Sequence, residues 1–247
     1  MKLLITAGNT QTPIDSVRCI TNIFSGKTGA MIAWEGARSG HEVTFLTSHP
    51  EVLAQLRSHL PDLLNDINVR TFQTFDDLHG LMAAEIQGGS YDVIIHAAAV
   101  SDFLFAGAFA PADGTEFATG VNQWKSDSIP SMVDVGAGKI KSNHSEVWIR
   151  LTPTPKLVDR IRKDWKFRGT LVKFKLEVGL SDAELVEVAS QARAQSDADL
   201  IVANTLESMH EKAFIIDRHG SQRMVPRQKL ASALMNALES SRVHPNP

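Results

Sequence analysis

Apolar and polar positions along this chain follow two periods. Short continuous apolar runs at residues 2–6, 42–47, 68–72, 92–99, 146–151, 171–176 and 200–202 read as strands buried on both faces. Between them, apolar residues recur at helical spacing over 27–38, 50–59, 75–86, 154–164 and 181–195. This alternation predicts an α/β fold, a doubly wound, mostly parallel, Rossmann-like sheet. Ser181 followed by Glu184 is a capping-box start for the last of those helices. Beyond it, residues 213–217 and 222–225 flank His219-Gly220 as a C-terminal hairpin, and 228–240 reads as a closing helix. A single domain is expected over 1–240, with a flexible tail at 241–247.

Two stretches break the rhythm. Some twenty residues separate the first strand from the first helix, where about 2 to 6 are usual, so this connection is expected to bind rather than merely turn. Residues 104–138 are rich in Ala, Gly, Pro and Ser and hold neither period for long. They read as a mobile insertion or as a flap or dimer arm.

Glycines mark the first stretch. Backbone N–H groups of Gly8, Asn9 and Thr10, and of the segment from Ser25 and Gly26 to Gly29, can hold phosphate oxygens at a helix start. Gly26-Lys27-Thr28 is not a P-loop, because Thr21 stands where that motif needs a glycine. A dinucleotide fingerprint also fails: the glycines lack its spacing, and the second strand ends Leu46-Thr47-Ser48 without an acid for ribose. Tyr91 is followed four residues later by Ile95 rather than lysine, which disfavours a nicotinamide-dependent reductase, the alternative this fold permits. A second candidate is HAAAVSDF at 96–103, at the carboxyl end of a middle strand where open sheets bind ligands. Its alanines also suit tight packing, and His96 by itself reads as a core or rim residue.

Composition narrows the function. The chain of 247 residues has 43 % hydrophobic and 21 % charged residues and a net charge of −3, with no Lys/Arg cluster dense enough to track nucleic acid. No apolar run reaches the roughly 20 residues of a membrane span, and Cys19 has no internal partner. A cytoplasmic protein acting on small molecules is expected. His and acidic residues show no metal-ligand spacing.

In combination these segments resemble the phosphopantothenoylcysteine synthetase (phosphopantothenate–cysteine ligase) family of coenzyme A biosynthesis. The family's opening pattern matches at Thr6, Gly8, Thr10, Ile14, Asp15, Val17, Arg18, Ile20, Asn22, Ser25, Gly26 and Gly29. Its A-A-V-x-D-[FY] matches residues 98–103, its K-I-x-[KS] matches 139–142, and its V-x-F-K-L-E and I-V-A-N segments match 172–177 and 201–204. Asn9 and Phe24 depart from the pattern. With no flavoprotein decarboxylase half before Met1, the resemblance is to the stand-alone form, without flavin.

The resemblance implies a homodimer that uses Mg²⁺ and either CTP or ATP. Lys139 would neutralise the triphosphate, and Asn22 would hold the pantothenoyl amide and carboxylate. Arg18 would order the Asn22 loop, and the Ala98 and Ala99 backbone would line the substrate channel. Asp102 would orient ribose or Mg²⁺, and Phe103 and Phe174 would flank the base.

Overall fold

A computed structural model describes residues 1–57, 67–126 and 129–243. The first half of the chain runs β1 (Lys2–Ala7), β2 (Gln11–Pro13), β3 (Cys19–Thr21), α1 (Lys27–Arg38), β4 (Glu42–Thr47), α2 (Pro50–Arg57), β5 (Ile67–Thr71), α3 (Phe75–Gly88) and β6 (Val93–His96). There follow β7 (Phe103–Pro111), β8 (Thr115–Ala118), β9 (Gln123–Ser126), β10 (Met132–Asp134), β11 (Trp148–Pro153) and α4 (Leu157–Lys163). The remainder is β12 (Thr170–Glu177), α5 (Asp182–Gln195), β13 (Leu200–Thr205), β14 (Lys212–Asp217), β15 (Gln222–Pro226) and α6 (Leu230–Val243).

Two compact units result: residues 1–10, 23–100 and 156–247 form the larger, and 11–22 with 101–155 the smaller. The larger unit is built on an eight-stranded sheet in the order β15-β14-β13-β12-β6-β1-β4-β5. Its strands from β5 to β13 pair in parallel, and the hairpin β14–β15 closes one edge antiparallel. The sheet is doubly wound, as alternate residues of single strands prove. Val202, Ala213 and Ile215 pack with α1 and α6 through Ile32, Leu230 and Leu234. Ile201, Ala203, Phe214 and Ile216 pack on the other face with Leu185 and Ala189 of α5. At about 25 cal/mol per Å², burial of such continuous apolar runs is the main stabilising term.

Local sequence sets the helix starts. Ser181 accepts from the Glu184 amide while Glu184 reaches back, and Thr74 and Asp77 do the same for α3. α1 differs, for its N-cap is Gly26 at φ 77° with no side-chain cap. Among the described residues no helix is long and apolar enough to cross a membrane.

Several expectations need correction. The segment 104–138 is not devoid of regular structure: β7, β8, β9 and β10 occupy most of it. Strand 146–151 does not join the parallel sheet either, because β11 pairs antiparallel with β7, which also pairs with β10. The helix expected over 154–164 begins only at Leu157, and α6 continues through residue 243 of the supposed tail. The expected helix 50–59 is seen to Arg57; the rest, and residues 244–247, lie outside the described residues.

Candidate functional site: an acid-free cleft at the switch of strand order

Strand order reverses beside β1, with β4 and β5 on one side and β6 on the other. In open parallel sheets such a switch point marks a ligand crevice at the carboxyl ends of the strands. A cleft of about 790 Å³ occupies that place in the larger unit. Gly8 follows β1, Ala97 to Ala99 follow β6, Phe174 and Asn204 come from the ends of β12 and β13, and residues 23–29 lead into α1. A further wall is the turn after β15, with Arg227 and Leu230.

The two glycine segments exist because they touch. A Cβ on Gly26 would lie 2.4 Å from the Gly8 amide nitrogen, and one on Gly29 would lie 2.4 Å from the Ala7 Cβ. At Gly8, φ is 87° and a Cβ would fall 2.2 Å from Ser48 Oγ. These contacts seat the start of α1 against the end of β1. Past β6 the backbone stays zipped to the loop after β1: Ala97 N–H donates to Thr6 O at 3.0 Å, Ala99 N–H to Gly8 O at 2.7 Å, and Thr10 N–H to Ala99 O at 3.3 Å.

This bonding bears on the phosphate-binding expectation. The Asn9 amide donates to Ser48 Oγ at 2.9 Å, so Asn9 and Thr10 use their N–H groups inside the fold. Asn9 is buried, and its Oδ1 accepts from Ser48 Oγ at 3.1 Å and faces His49 Nε2 at 3.0 Å. The first turn of α1 is placed otherwise. Its amides have no intrahelical partners, carry the positive end of the helix dipole, and belong to residues lining the cleft.

Among the described residues that line the cleft there is no Asp or Glu, whereas Lys27, Lys175 and Arg227 are cationic. Lys175 pairs with Glu177 at 2.9 Å. Arg227 was not anticipated from the sequence. It follows Pro226 at a helix entry, 199 residues from Thr28, whose hydroxyl accepts its Nη2 hydrogen bond. No periodic pattern marks such a residue.

Arg18, Asn22, Asp102, Phe103 and Lys139 all fall in the smaller unit. There Asp15 is the organising residue. Its carboxylate accepts from Arg18 Nη2 at 2.6 Å, from the Val17 and Arg18 amides at 2.9 and 2.8 Å, and from the Ile140 amide at 3.1 Å. The Arg18 guanidinium, the largest cause, and these amides hold the carboxyl well below the usual carboxylate range despite the opposing effect of burial. Arg18 also donates to Ile140 O at 2.6 Å, and Ser16 N–H to Gly138 O at 2.9 Å. Both residues flanking Lys139 are thus pinned, and the Lys139 side chain is left exposed. Through its bonds to Asp15 and Ile140, Arg18 braces the lysine turn. Asp102 is exposed and Phe103 is half-exposed at 49 %, at the start of β7.

Residues 1–110 and 130–241 match the DNA/pantothenate metabolism flavoprotein C-terminal domain. The chain belongs to this family. The bifunctional coenzyme A biosynthesis protein CoaBC of Thermococcus kodakarensis is 33 % identical over 244 residues, covering 96 % of this chain and 51 % of the relative. The chain therefore spans about half the length of the curated relatives it matches. The DNA/pantothenate metabolism flavoprotein of Streptococcus pneumoniae has a similar structure, with TM-score 0.75 and 26 % identity over 97 % of this chain and 99 % of that one. A Cab2 mutant complexed with phosphopantothenate-cysteine shares the fold at TM-score 0.67 and 17 % identity, covering 99 % of this chain and 88 % of that one. The resemblance read from the motifs is borne out at the level of the family.

Proposed function

We propose that this chain joins 4′-phosphopantothenate to L-cysteine in coenzyme A biosynthesis at the cost of a nucleoside triphosphate. The observation that carries the reading is the cation-lined cleft at the switch of strand order, with no acid among the described residues that line it, in a chain of this family. Such a cleft suits phosphate-bearing ligands. The Thermococcus relative is named for coenzyme A biosynthesis, and the Cab2 mutant is complexed with phosphopantothenate-cysteine, which supports this reading.

In the reading we favour, the substrate carboxylate attacks the α-phosphorus of CTP or ATP, pyrophosphate leaves, and an acyl-nucleotidylate forms. Cysteine's amine then attacks the activated carbonyl, and the nucleoside monophosphate leaves. Such steps ask chiefly for positioning and charge neutralisation. Lys139, on a turn pinned by Asp15 and Arg18, would face the polyphosphate, and Asn22, with both donor and acceptor, would hold the amide and carboxylate. The backbone of Ala98 and Ala99 would line the substrate channel, Phe174 would flank the base, and Asp102 and Phe103 would serve ribose and base.

A protein-built Mg²⁺ site does not fit the described residues. They hold no group of three or more His, Cys, Asp or Glu, and the lining of the cleft holds no carboxylate. The smaller unit exposes Val133, Trp148 and Leu151, which supports a homodimer.

The test is pyrophosphate release from a panel of CTP, ATP, GTP and UTP. Release should depend on 4′-phosphopantothenate, and phosphopantothenoylcysteine should appear on adding cysteine. No release with any nucleotide would overturn the reading.

A further inference from the structure

Of the two cleft cations without an assigned task, Lys27 is exposed and Arg227 is partly buried. Among the described residues no carboxylate pairs with it, in contrast to Lys175 beside Glu177. Its root is fixed, for its backbone N–H donates to Glu211 O at 2.7 Å and Pro226 precedes it. Its head is fixed by the hydrogen bond from Nη2 to the hydroxyl of Thr28, the second residue of α1. Partial burial disfavours the charged guanidinium, yet arginine stays protonated. A partly desolvated cation without a counter-charge is unfavourable until an anion arrives. Its planar fork matches two oxygens of a phosphate, and the amides of the first turn of α1 line the same cleft.

We propose that Arg227, delivered by the turn after β15, is a phosphate-binding residue of this cleft. The group it grips is a phosphate, carried by a nucleotide or by a phosphomonoester such as 4′-phosphopantothenate. Naming those two carriers rests on the ligase reading; the phosphate site does not.

The experiment is calorimetric titration of the full chain and of Arg227→Gln and Arg227→Lys with tripolyphosphate, CTP, ATP and 4′-phosphopantothenate, with melting temperature and pyrophosphate release measured alongside. Arg227→Gln should weaken the ligand whose phosphate lies there by about 10- to 100-fold, the range for a charge-assisted hydrogen bond. Arg227→Lys should recover only part, since a point charge replaces a fork. Loss confined to tripolyphosphate and nucleotides places the polyphosphate at Arg227; loss confined to phosphopantothenate places the monoester there. Unchanged affinities for all four ligands would overturn the proposal, and so would a uniform loss accompanied by a lowered melting temperature. The two readings fail separately. Arginine-dependent phosphate binding without pyrophosphate release sinks the ligase and keeps this site, whereas native release and binding in Arg227→Gln does the reverse.

Discussion

His96 should make this fold sensitive to mild acid. It sits in register between Thr6 and Lys173 on adjacent strands, and its Nδ1 lies 2.9 Å from Thr6 Oγ1. Burial, and secondarily the charge of Lys173, pull its pKa from 6.5 down to about 4. Between those values the unfolded chain binds the proton and the folded chain does not, so acidification favours unfolding. Stability is intact above pH 6.5, falls as the pH drops below it, and stops falling from this source below about pH 4. At 1.36 kcal/mol per pKa unit, the full effect is about 3 kcal/mol, of which about 2 kcal/mol is lost between pH 7.5 and pH 5.0. Urea unfolding of the wild type and of His96→Met at both pH values isolates it, because the other ionisable groups are common to the two proteins. The wild type should lose about 2 kcal/mol more than the variant. Equal losses, within about 0.5 kcal/mol, would refute the argument, for a buried neutral imidazole cannot escape this linkage.

Other expected outcomes address the two units separately. Lys139→Gln removes an exposed charge and should leave the melting curve unchanged while slowing pyrophosphate release by about 10²- to 10³-fold; near-native release would remove the lysine from the mechanism. Gly26→Ala meets a φ of 77° and a Cβ position 2.4 Å from the Gly8 nitrogen, so it should cost about 2–4 kcal/mol in urea unfolding. A cost below about 1 kcal/mol would mean that the contact between the glycine segments is slack.

What the sequence disclosed depended on contrast between faces. α1 was legible from Lys27 to Arg38 because Ile32, Ala33 and Ala37 form an apolar stripe opposite charged positions. The strands of the central sheet stood out because residues such as Leu3, Leu4 and Ile5 must be apolar on both faces. β7 carried no such contrast: from Phe103 to Ala110 every position is apolar or glycine, which hides a period of 2. β11 showed its strand character but not its partner, since Trp148, Arg150 and Leu151 are exposed to similar degrees in a small antiparallel sheet. Among the site residues, the glycines around β1 and α1 were readable from their spacing. Arg227 was not, because its meaning comes from Thr28, distant in the chain.

That separation has a consequence for the order in which the protein is made. Thr28 and the glycines emerge from the ribosome early, whereas the arginine that faces them follows β15, after every strand of the sheet has been synthesised. The Asp15 support of the Lys139 turn likewise waits for a partner 125 residues downstream. The last wall of the cleft and the α6 residues Leu230, Ala233, Leu234, Met235 and Leu238 of the main core therefore arrive together, after the whole sheet. A chain that ends at Pro226 keeps every strand of the sheet and lacks the Arg227 wall of the cleft.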